Sequence, residues 1–469
     1  MFELKNYING EFREGKNTQI NHDIAGAPGA RIHFATEWDI LAAVENLNRV
    51  QAYFTTVGEA LISELLAEAM DNFLCPEDYC YIARMTGASI EFVNSALEKI
   101  KGWAKQSEEF IKSVFANKPT YSRKCNSPTL AILPSNSEEE ALFVIVQALL
   151  ARSALLIRAS SRGSASFTVI KFIEAWNKVI DKFEDRHAPL KQVITLINAE
   201  RLDDLWETVS VDHWNYVVFG SHSTAREISK NILCHSNPRK IVLYDAGLAC
   251  TVVDKSIQFI ELGMPEIAWD VLESVRINRG NECVSSDIIY VHDDVHAPFI
   301  QAINSALAYE QSLPPDDRDS LGVVSVPNCA FITETAEALG HLGSIRFDSL
   351  EVSGHDGNTI HRPNIKSSLL VLSEVEKSTV FPGPIANVRS FSSREHLIEL
   401  MTKDLLSNQE AKFLACSLFG SHSFFTEMVP KIEAHTIKHN RPSHEMNFFN
   451  PHQGIWLVKE LVDHVNVEN

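Results

Sequence analysis

Three loops in this chain carry residues whose types and spacing could do chemistry. In Asn278-Arg279-Gly280-Asn281-Glu282-Cys283 a cysteine sits just behind a glycine turn, between a helix-like run and the apolar strand Ile288-Ile289-Tyr290-Val291. Its flanks are poor core material, which argues against the usual fate of cysteine as a small buried hydrophobe. A thiol displayed there can act, as its thiolate, on an electrophilic carbon. The second loop, Leu133-Pro134-Ser135-Asn136-Ser137-Glu138, follows a strand and opens a helix whose apolar body runs through Leu142, Val144, Ile145 and Leu149. Asn136 can donate its amide into a cleft; taken alone, a helix cap or turn is the better account of it. The third, Phe219-Gly220-Ser221-His222-Ser223, follows the strand 214–219 and precedes a helical segment beginning near Thr224. Glycine permits close backbone approach, and first-turn amides suit a phosphate, although one glycine in such a turn is common.

The elements that must hold these loops alternate along the chain. Thr36-Glu37-Trp38-Asp39 forms a capping box ahead of a helix that places Ile40, Val44, Leu47 and Val50 on one face. Compact apolar runs follow at Thr129–Leu133, Ala154–Ile157, Val193–Ile197, Tyr216–Phe219, Ile241–Leu243 and Ile288–Val291, with helical patterns between most of them. Near-continuous apolar strands separated by helices predict a parallel sheet buried on both faces. No internal repeat or low-complexity segment is evident. The charged loop Leu313–Asp319 and the turn-rich Val352–Asn358 read as surface excursions rather than linkers.

Composition narrows the class. With 469 residues, 45% hydrophobic and 22% charged, the chain can build two or three domains with real cores. A formal charge of −19 disfavours a nucleic-acid partner but leaves room for one cofactor pyrophosphate. No apolar run approaches the roughly 20 residues of a membrane span. The opening Met1-Phe2-Glu3-Leu4-Lys5-Asn6 lacks a signal-peptide pattern, so the expected compartment is the cytoplasm. Eight cysteines without a paired framework are expected to be free thiols, most of them in the core. His435 and His439, four apart as on one helical face, and His444 find no cysteine or glutamate to complete a metal set, so no metal is assigned. Asp203, Asp204 and Glu138-Glu139-Glu140 read as solvated faces or charges near helix N-termini.

In order, the loops resemble those of the aldehyde dehydrogenase superfamily over nearly the whole chain. Tyr7-Ile8-Asn9-Gly10-Glu11-Phe12 is similar to that family's opening strand motif, and Ser127–Asn136 to the strand leading into its Pro-Trp-Asn motif. Leu156-Ile157-Arg158-Ala159-Ser160-Ser161 stands at its Leu-Lys-Pro-Ser-Glu segment, Phe219-Gly220-Ser221 at its phosphate-side Gly-Ser turn. Gly280-Asn281-Glu282-Cys283 matches Gly-Gln-x-Cys, and Phe381-Pro382-Gly383-Pro384 resembles Phe-Gly-Pro. The resemblance implies an α/β fold with a Rossmann-type cofactor domain (1–117 and 129–240), an α/β catalytic domain (241–454) and a small oligomerisation segment (118–128 and 455–469). Homodimers or homotetramers follow, because the tail 454–462 resembles the family's C-terminal segment, whose final strand pairs across a dimer interface. Its apolar residues would otherwise be an exposed edge.

The resemblance also implies a mechanism. Cys283 attacks a carbonyl carbon, Asn136 and the Cys283 backbone N–H stabilise the resulting oxyanion, and NAD or NADP exchanges hydride with that carbon. Arg158, Ser161, Gly220, Ser221 and Phe381 are the cofactor-binding candidates. Two departures redirect this expectation. Tyr244 replaces the glutamate that activates a deacylating water in hydrolytic members, and Asp245 lies one place along an extended strand, facing the other way. Losing a general base removes about 10²–10⁴-fold of assistance to water. Members that exchange acyl groups with coenzyme A often lack that glutamate. The favoured expectation is therefore reversible NAD(P)H-dependent reduction of an acyl thioester to an aldehyde, the acyl group carried by coenzyme A or by the phosphopantetheine of an acyl carrier protein. The alternatives are a hydrolytic aldehyde dehydrogenase and a catalytically silent relative that binds a nucleotide or partner. The second departure is at the adenosine end: Ser161 stands where many members have glutamate, beside Arg158 and Arg162, which tilts the cofactor toward NADP(H) over NAD(H).

Overall fold

The computed structural model describes the chain apart from residues 24–26, 116–120, 126, 135–137, 160–164, 184, 201–211, 246, 281, 315–319, 324–333, 335–346, 354–358, 367–370, 374–382, 446 and 467–469. It divides into two compact units: 1–86, 93–245 and 447–469 form the first, 87–92 and 246–446 the second.

In the first unit, five of the apolar runs are parallel strands. Across the sheet they stand in the order Lys240–Asp245, Asn215–Gly220, Thr129–Ile132, Leu155–Arg158, Ile194–Ile197, and the antiparallel pair Asn6–Ile8 and Glu11–Arg13 completes the edge. Helix Glu139–Ala151 is apolar all round, and every side chain from Ala141 to Ala151 is buried, as befits a helix enclosed on all sides. Helix Glu37–Phe54 carries the capping box at Thr36 and buries Ile40, Leu47 and Val50. Of the five parallel strands, the earliest in the chain, Thr129–Ile132, is the middle one. The next two strands extend to one side before the chain crosses to the other, so the order reverses between Thr129–Ile132 and Asn215–Gly220. In open parallel sheets, ligands bind outside the carboxyl ends of the strands at such a reversal.

The second unit contains a six-stranded parallel sheet in the order Val371–Ser373, Ile385–Phe391, Ile288–His292, Ala249–Val253, Phe413–Phe419, Ala434–His439. Alternate side chains feed two apolar layers, Val253, Ile289 and Val291 into one and Cys250, Tyr290 and Cys416 into the other. Here the order reverses between Ala249–Val253 and Phe413–Phe419.

Several expectations need correction. His435 and His439 lie on the strand Ala434–His439 rather than on a helix. Of the described cysteines, Cys125, Cys250 and Cys416 are buried, but Cys75, Cys80 and Cys234 are exposed, the last two on solvent faces of their helices. Glu138 stands at the N-terminus of helix Glu139–Ala151, as one of the two expectations had it, but it is not solvated; it is buried and accepts a hydrogen bond from Thr168 Oγ1 at 2.9 Å. Asp203 and Asp204 lie outside the described residues. The tail forms a helix, Leu457–Leu461, whose Leu457, Val458 and Leu461 are buried in their own unit, with Val458 N donating to Gln147 Oε1 at 2.8 Å. Only then does a strand, Asp463–Asn466, pair antiparallel with Tyr121–Lys124. Among the described residues, no helix is long and apolar enough to cross a membrane.

Candidate active site

Helix Met264–Arg276 starts with Pro265 in its first turn and buries Ile267, Ala268, Val271, Leu272 and Val275. A tight turn, Ile277–Gly280, ends it and delivers the chain to Cys283. Gly280 is required there twice over. Its φ of +74° is one that residues with a Cβ rarely adopt, and a Cβ would stand 2.2 Å from the Gly383 carbonyl oxygen. Asn278, itself left-handed at φ +43°, turns its amide onto Glu282 Oε1 at 2.6 Å. Ser285 N closes the turn on the Glu282 carbonyl at 3.0 Å. Cys283 is thereby held partly exposed, at the amino end of the strand Ile288–His292. Asp287, at the base of the same loop, accepts from Ala249 N at 2.9 Å. Burial lifts its carboxyl to about 7, against the lowering effect of its backbone hydrogen bonds.

The first unit brings its candidates to the carboxyl ends of adjacent strands. Thr129–Ile132 leads toward Asn136, Leu155–Arg158 ends in Arg158, and Asn215–Gly220 ends in Gly220. Asn136, Ser161 and Phe381 themselves lie outside the described residues. Arg158 is largely enclosed, its Nε has no hydrogen-bond partner among the described residues, and burial lowers its pKa. Ser221 caps helix His222–His235, accepting from Thr224 N, and Ser221, Ser223 and Thr224 are exposed. A Cβ on Gly220 would press on Thr224 at 3.3 Å. An enclosed guanidinium and an exposed, serine-capped helix start on either side of the sheet reversal fit a phosphate-bearing dinucleotide.

The same five residues occur again as Phe419-Gly420-Ser421-His422-Ser423, a repeat that the sequence analysis missed. This copy, too, ends a strand beside a sheet reversal and caps a helix, His422–Met428, with Ser421 at almost the same backbone angles as Ser221. Its donors, however, are consumed. Gly420 N gives to Asn440 Oδ1 and Ser421 N to Ser256 Oγ, both at 2.9 Å, while His439 Nε2 reaches the Gly420 carbonyl at 3.0 Å. A Cβ on Gly420 would stand 2.8 Å from the Phe424 ring.

Tyr244 lies opposite Phe219 in the parallel register. Its ring stacks on Phe219 at 4.7 Å between centroids, meets Phe143 edge-on at 6.1 Å and contacts His452 at 5.1 Å. Trp103 and Phe448 pack on the same Phe143. At 1% exposure, the Tyr244 hydroxyl has no hydrogen-bond partner among the described residues. Burial, reinforced by Glu460 and Glu140, drives its pKa far above the usual tyrosine value. It therefore stays protonated and cannot serve as a base at neutral pH. The Asp245 side chain lies outside the described residues. Phe143 and His452 give no motif signal; they meet Tyr244 only through folding.

A family model described as aldehyde dehydrogenase family matches residues 82–456. No curated protein sequence matches the chain. Solved structures similar to it include a NAD-dependent benzaldehyde dehydrogenase from Corynebacterium glutamicum, at 15% identity and TM-score 0.73, with 98% of this chain and 97% of that one covered. A salicylaldehyde dehydrogenase from Pseudomonas putida G7, complexed with salicylaldehyde, is similar at 12% identity and TM-score 0.76, covering 99% and 97%. A betaine aldehyde dehydrogenase from Staphylococcus aureus in complex with NAD+ is similar at 16% identity and TM-score 0.75, covering 98% and 94%.

Proposed function

Because the chain belongs to the aldehyde dehydrogenase family, NAD(P)-dependent oxidoreductases acting on aldehydes, we propose that it interconverts an aldehyde and an acyl thioester, passing the acyl group between Cys283 and an external thiol rather than to water. The observation that carries this is Tyr244, a protonated, aromatic-packed side chain where a hydrolytic member places its water-activating glutamate. Water, with a pKa of about 15.7, needs that base, whereas a thiol titrating near 8.5 is already a few per cent thiolate at neutral pH. Coenzyme A or a carrier protein's phosphopantetheine arm supplies such a thiol.

Cys283 forms the covalent bond to the carbonyl carbon, and Asn136 with the Cys283 N–H holds the oxyanion. A nicotinamide cofactor, when bound, supplies the hydride acceptor or donor. Arg158, Ser161, Gly220, Ser221 and Phe381 are assigned to hold it, and the enclosed Arg158 supports NADP(H) over NAD(H) because a 2′-phosphate gives that guanidinium a partner. Among the described residues, the pairing of Tyr121–Lys124 with Asp463–Asn466 is a ribbon of two strands with no third strand beside it, which supports a homodimer or homotetramer. The cytoplasm is the proposed compartment.

A second reading, oxidation of an aldehyde to its acid, is favoured by the similar structures, whose names are those of aldehyde dehydrogenases. One assay separates the two. Purified protein is given NADPH or NADH with a panel of acyl-coenzyme A thioesters and carrier-bound thioesters, and absorbance at the nicotinamide band is followed; aldehydes with NAD(P)+ are then tested with and without coenzyme A. Thioester-dependent consumption of reduced cofactor and thiol-dependent aldehyde oxidation are expected. Full-rate aldehyde oxidation without a thiol contradicts the proposal.

A further inference from the structure

Resting on the assignment of Cys283 as nucleophile, we infer that Ser443 is a positioning residue for its thiol. Ser443 is fully buried, and its hydroxyl donates to the carbonyl of Val284, the residue after Cys283, at 2.8 Å. It also lies 3.1 Å from Ser286 Oγ, which lies 2.7 Å from Thr251 Oγ1. A serine hydroxyl has one proton. With the Ser443 proton on Val284, Ser286 donates to Ser443 and Thr251 donates to Ser286. The direction of the whole chain is thus set by the carbonyl beside the nucleophile.

Ser443 is fixed in turn by its own backbone. Its N–H donates to Ser274 Oγ at 3.1 Å, that hydroxyl spends its proton on the Asp270 carbonyl at 2.8 Å, and the Ser274 carbonyl accepts Ser286 N at 2.9 Å. The carboxyl side of the Cys283 loop is therefore held through Val284 O, Ser286 N and Ser286 Oγ. Its amino side is held by the Gly280 turn against Gly383 and by Asn278 on Glu282. Removing the Ser443 hydroxyl releases Val284 and takes the acceptor from Ser286, both within the segment that orients the thiol. A misplacement of about 1 Å costs on the order of 10²-fold in rate.

The test alkylates the full-length protein with iodoacetamide between pH 6 and 9 and follows each cysteine by peptide mass mapping, with exposed Cys75, Cys80 and Cys234 as internal references. Ser443→Ala is expected to change the alkylation rate of Cys283 at least fivefold and to shift its pH profile, with the reference cysteines unchanged. If turnover is present, kcat should fall about 10–100-fold with KM within about twofold. Ser286→Ala, which removes the donor to Ser443, is expected to act in the same direction and serves if Ser443→Ala does not fold. Wild-type alkylation rate and pH profile of Cys283 in the folded variant overturn the inference, whatever happens to its melting temperature. Because alkylation is read without substrate, altered alkylation in a protein with no thioester or aldehyde turnover would keep the role of Ser443 and sink the proposed function.

Discussion

The two units build the same kind of sheet, place the same Phe-Gly-Ser-His-Ser text at its reversal, and carry their candidate site residues at opposite ends of it. In the first unit Ser221, after Gly220, is exposed, Arg158 stands enclosed two strands away, and the carboxyl ends of the strands carry the cofactor candidates. In the second, the turn at Gly420 is plugged by Asn440, Ser256 and His439, and the candidate nucleophile Cys283 stands at the amino end of a strand instead. A five-residue text therefore sets local geometry, the serine cap and the backbone angles. Residues far away in sequence decide what becomes of its donors: in the second copy Asn440 and Ser256 take them.

The largest expected effect tests the division between chemistry and cofactor binding. Cys283→Ala should lower turnover by at least about four orders of magnitude while dinucleotide binding, measured by calorimetry, stays within twofold. Residual turnover above about 1% of wild type would remove Cys283 from the mechanism. Next comes the turn that presents the thiol. Gly280→Ala forces a Cβ against the Gly383 carbonyl at a left-handed residue, and should cost about 1–3 kcal/mol of stability and roughly a hundredfold in turnover. A variant with unchanged melting temperature and rate would show that the contact with Gly383 is not needed.

The twin glycines sharpen the comparison directly. Gly420→Ala, meeting Phe424 at 2.8 Å in a filled turn, should lower the melting temperature by several degrees and leave the KM for cofactor alone. Gly220→Ala, whose nearest neighbour is the Thr224 side chain at 3.3 Å, should do the reverse and raise that KM about tenfold. The opposite assignment of effects would break the contrast.

A smaller effect concerns Asp287 at the base of the Cys283 loop. Its carboxyl is raised from 3.8 to about 7, so between these values the folded protein binds more proton than the unfolded chain does. Its contribution to stability therefore falls as pH rises from about 4 to about 7 and is flat above. Asp287→Asn should melt a few degrees above wild type at pH 8 and level with it near pH 4, by calorimetry; a gap of the same size at both pH values would contradict the buried-carboxyl account. Smallest of all, Tyr244→Phe keeps the ring stack and removes an unpartnered hydroxyl. It should be neutral or stabilising by up to about 1 kcal/mol, with turnover within twofold. A tenfold loss of turnover would make the hydroxyl a participant.

Much of this molecule was legible in the sequence where the signal is local. Apolar runs became strands, Thr36 capped its helix, Ser221 and Gly220 made their turn, and Cys283 stands on a glycine turn that sterics explain. What was not legible depends on contacts between distant segments. Glu138 reads as a solvated charge until Thr168 is packed beside it, and Tyr244 reads as a bare substitution until Phe143 and His452 enclose it. His435 and His439 have helical spacing yet lie on a strand, because a lone pair four apart has no periodicity to decide between the two. Ser443, in a loop with no motif, becomes informative only through its bond to the Val284 carbonyl.

In the proposed function the acyl group on Cys283 leaves to a thiol and not to water. Loading the protein with an acyl-coenzyme A thioester in the absence of nicotinamide cofactor, removing excess reagent and following intact mass reads that fate directly. The acyl adduct on Cys283 should persist for many minutes in buffer at pH 7.5 and disappear within seconds of adding free coenzyme A, with the acyl thioester re-formed. An adduct that decays in buffer alone as fast as the enzyme turns over, releasing free acid, would contradict the account.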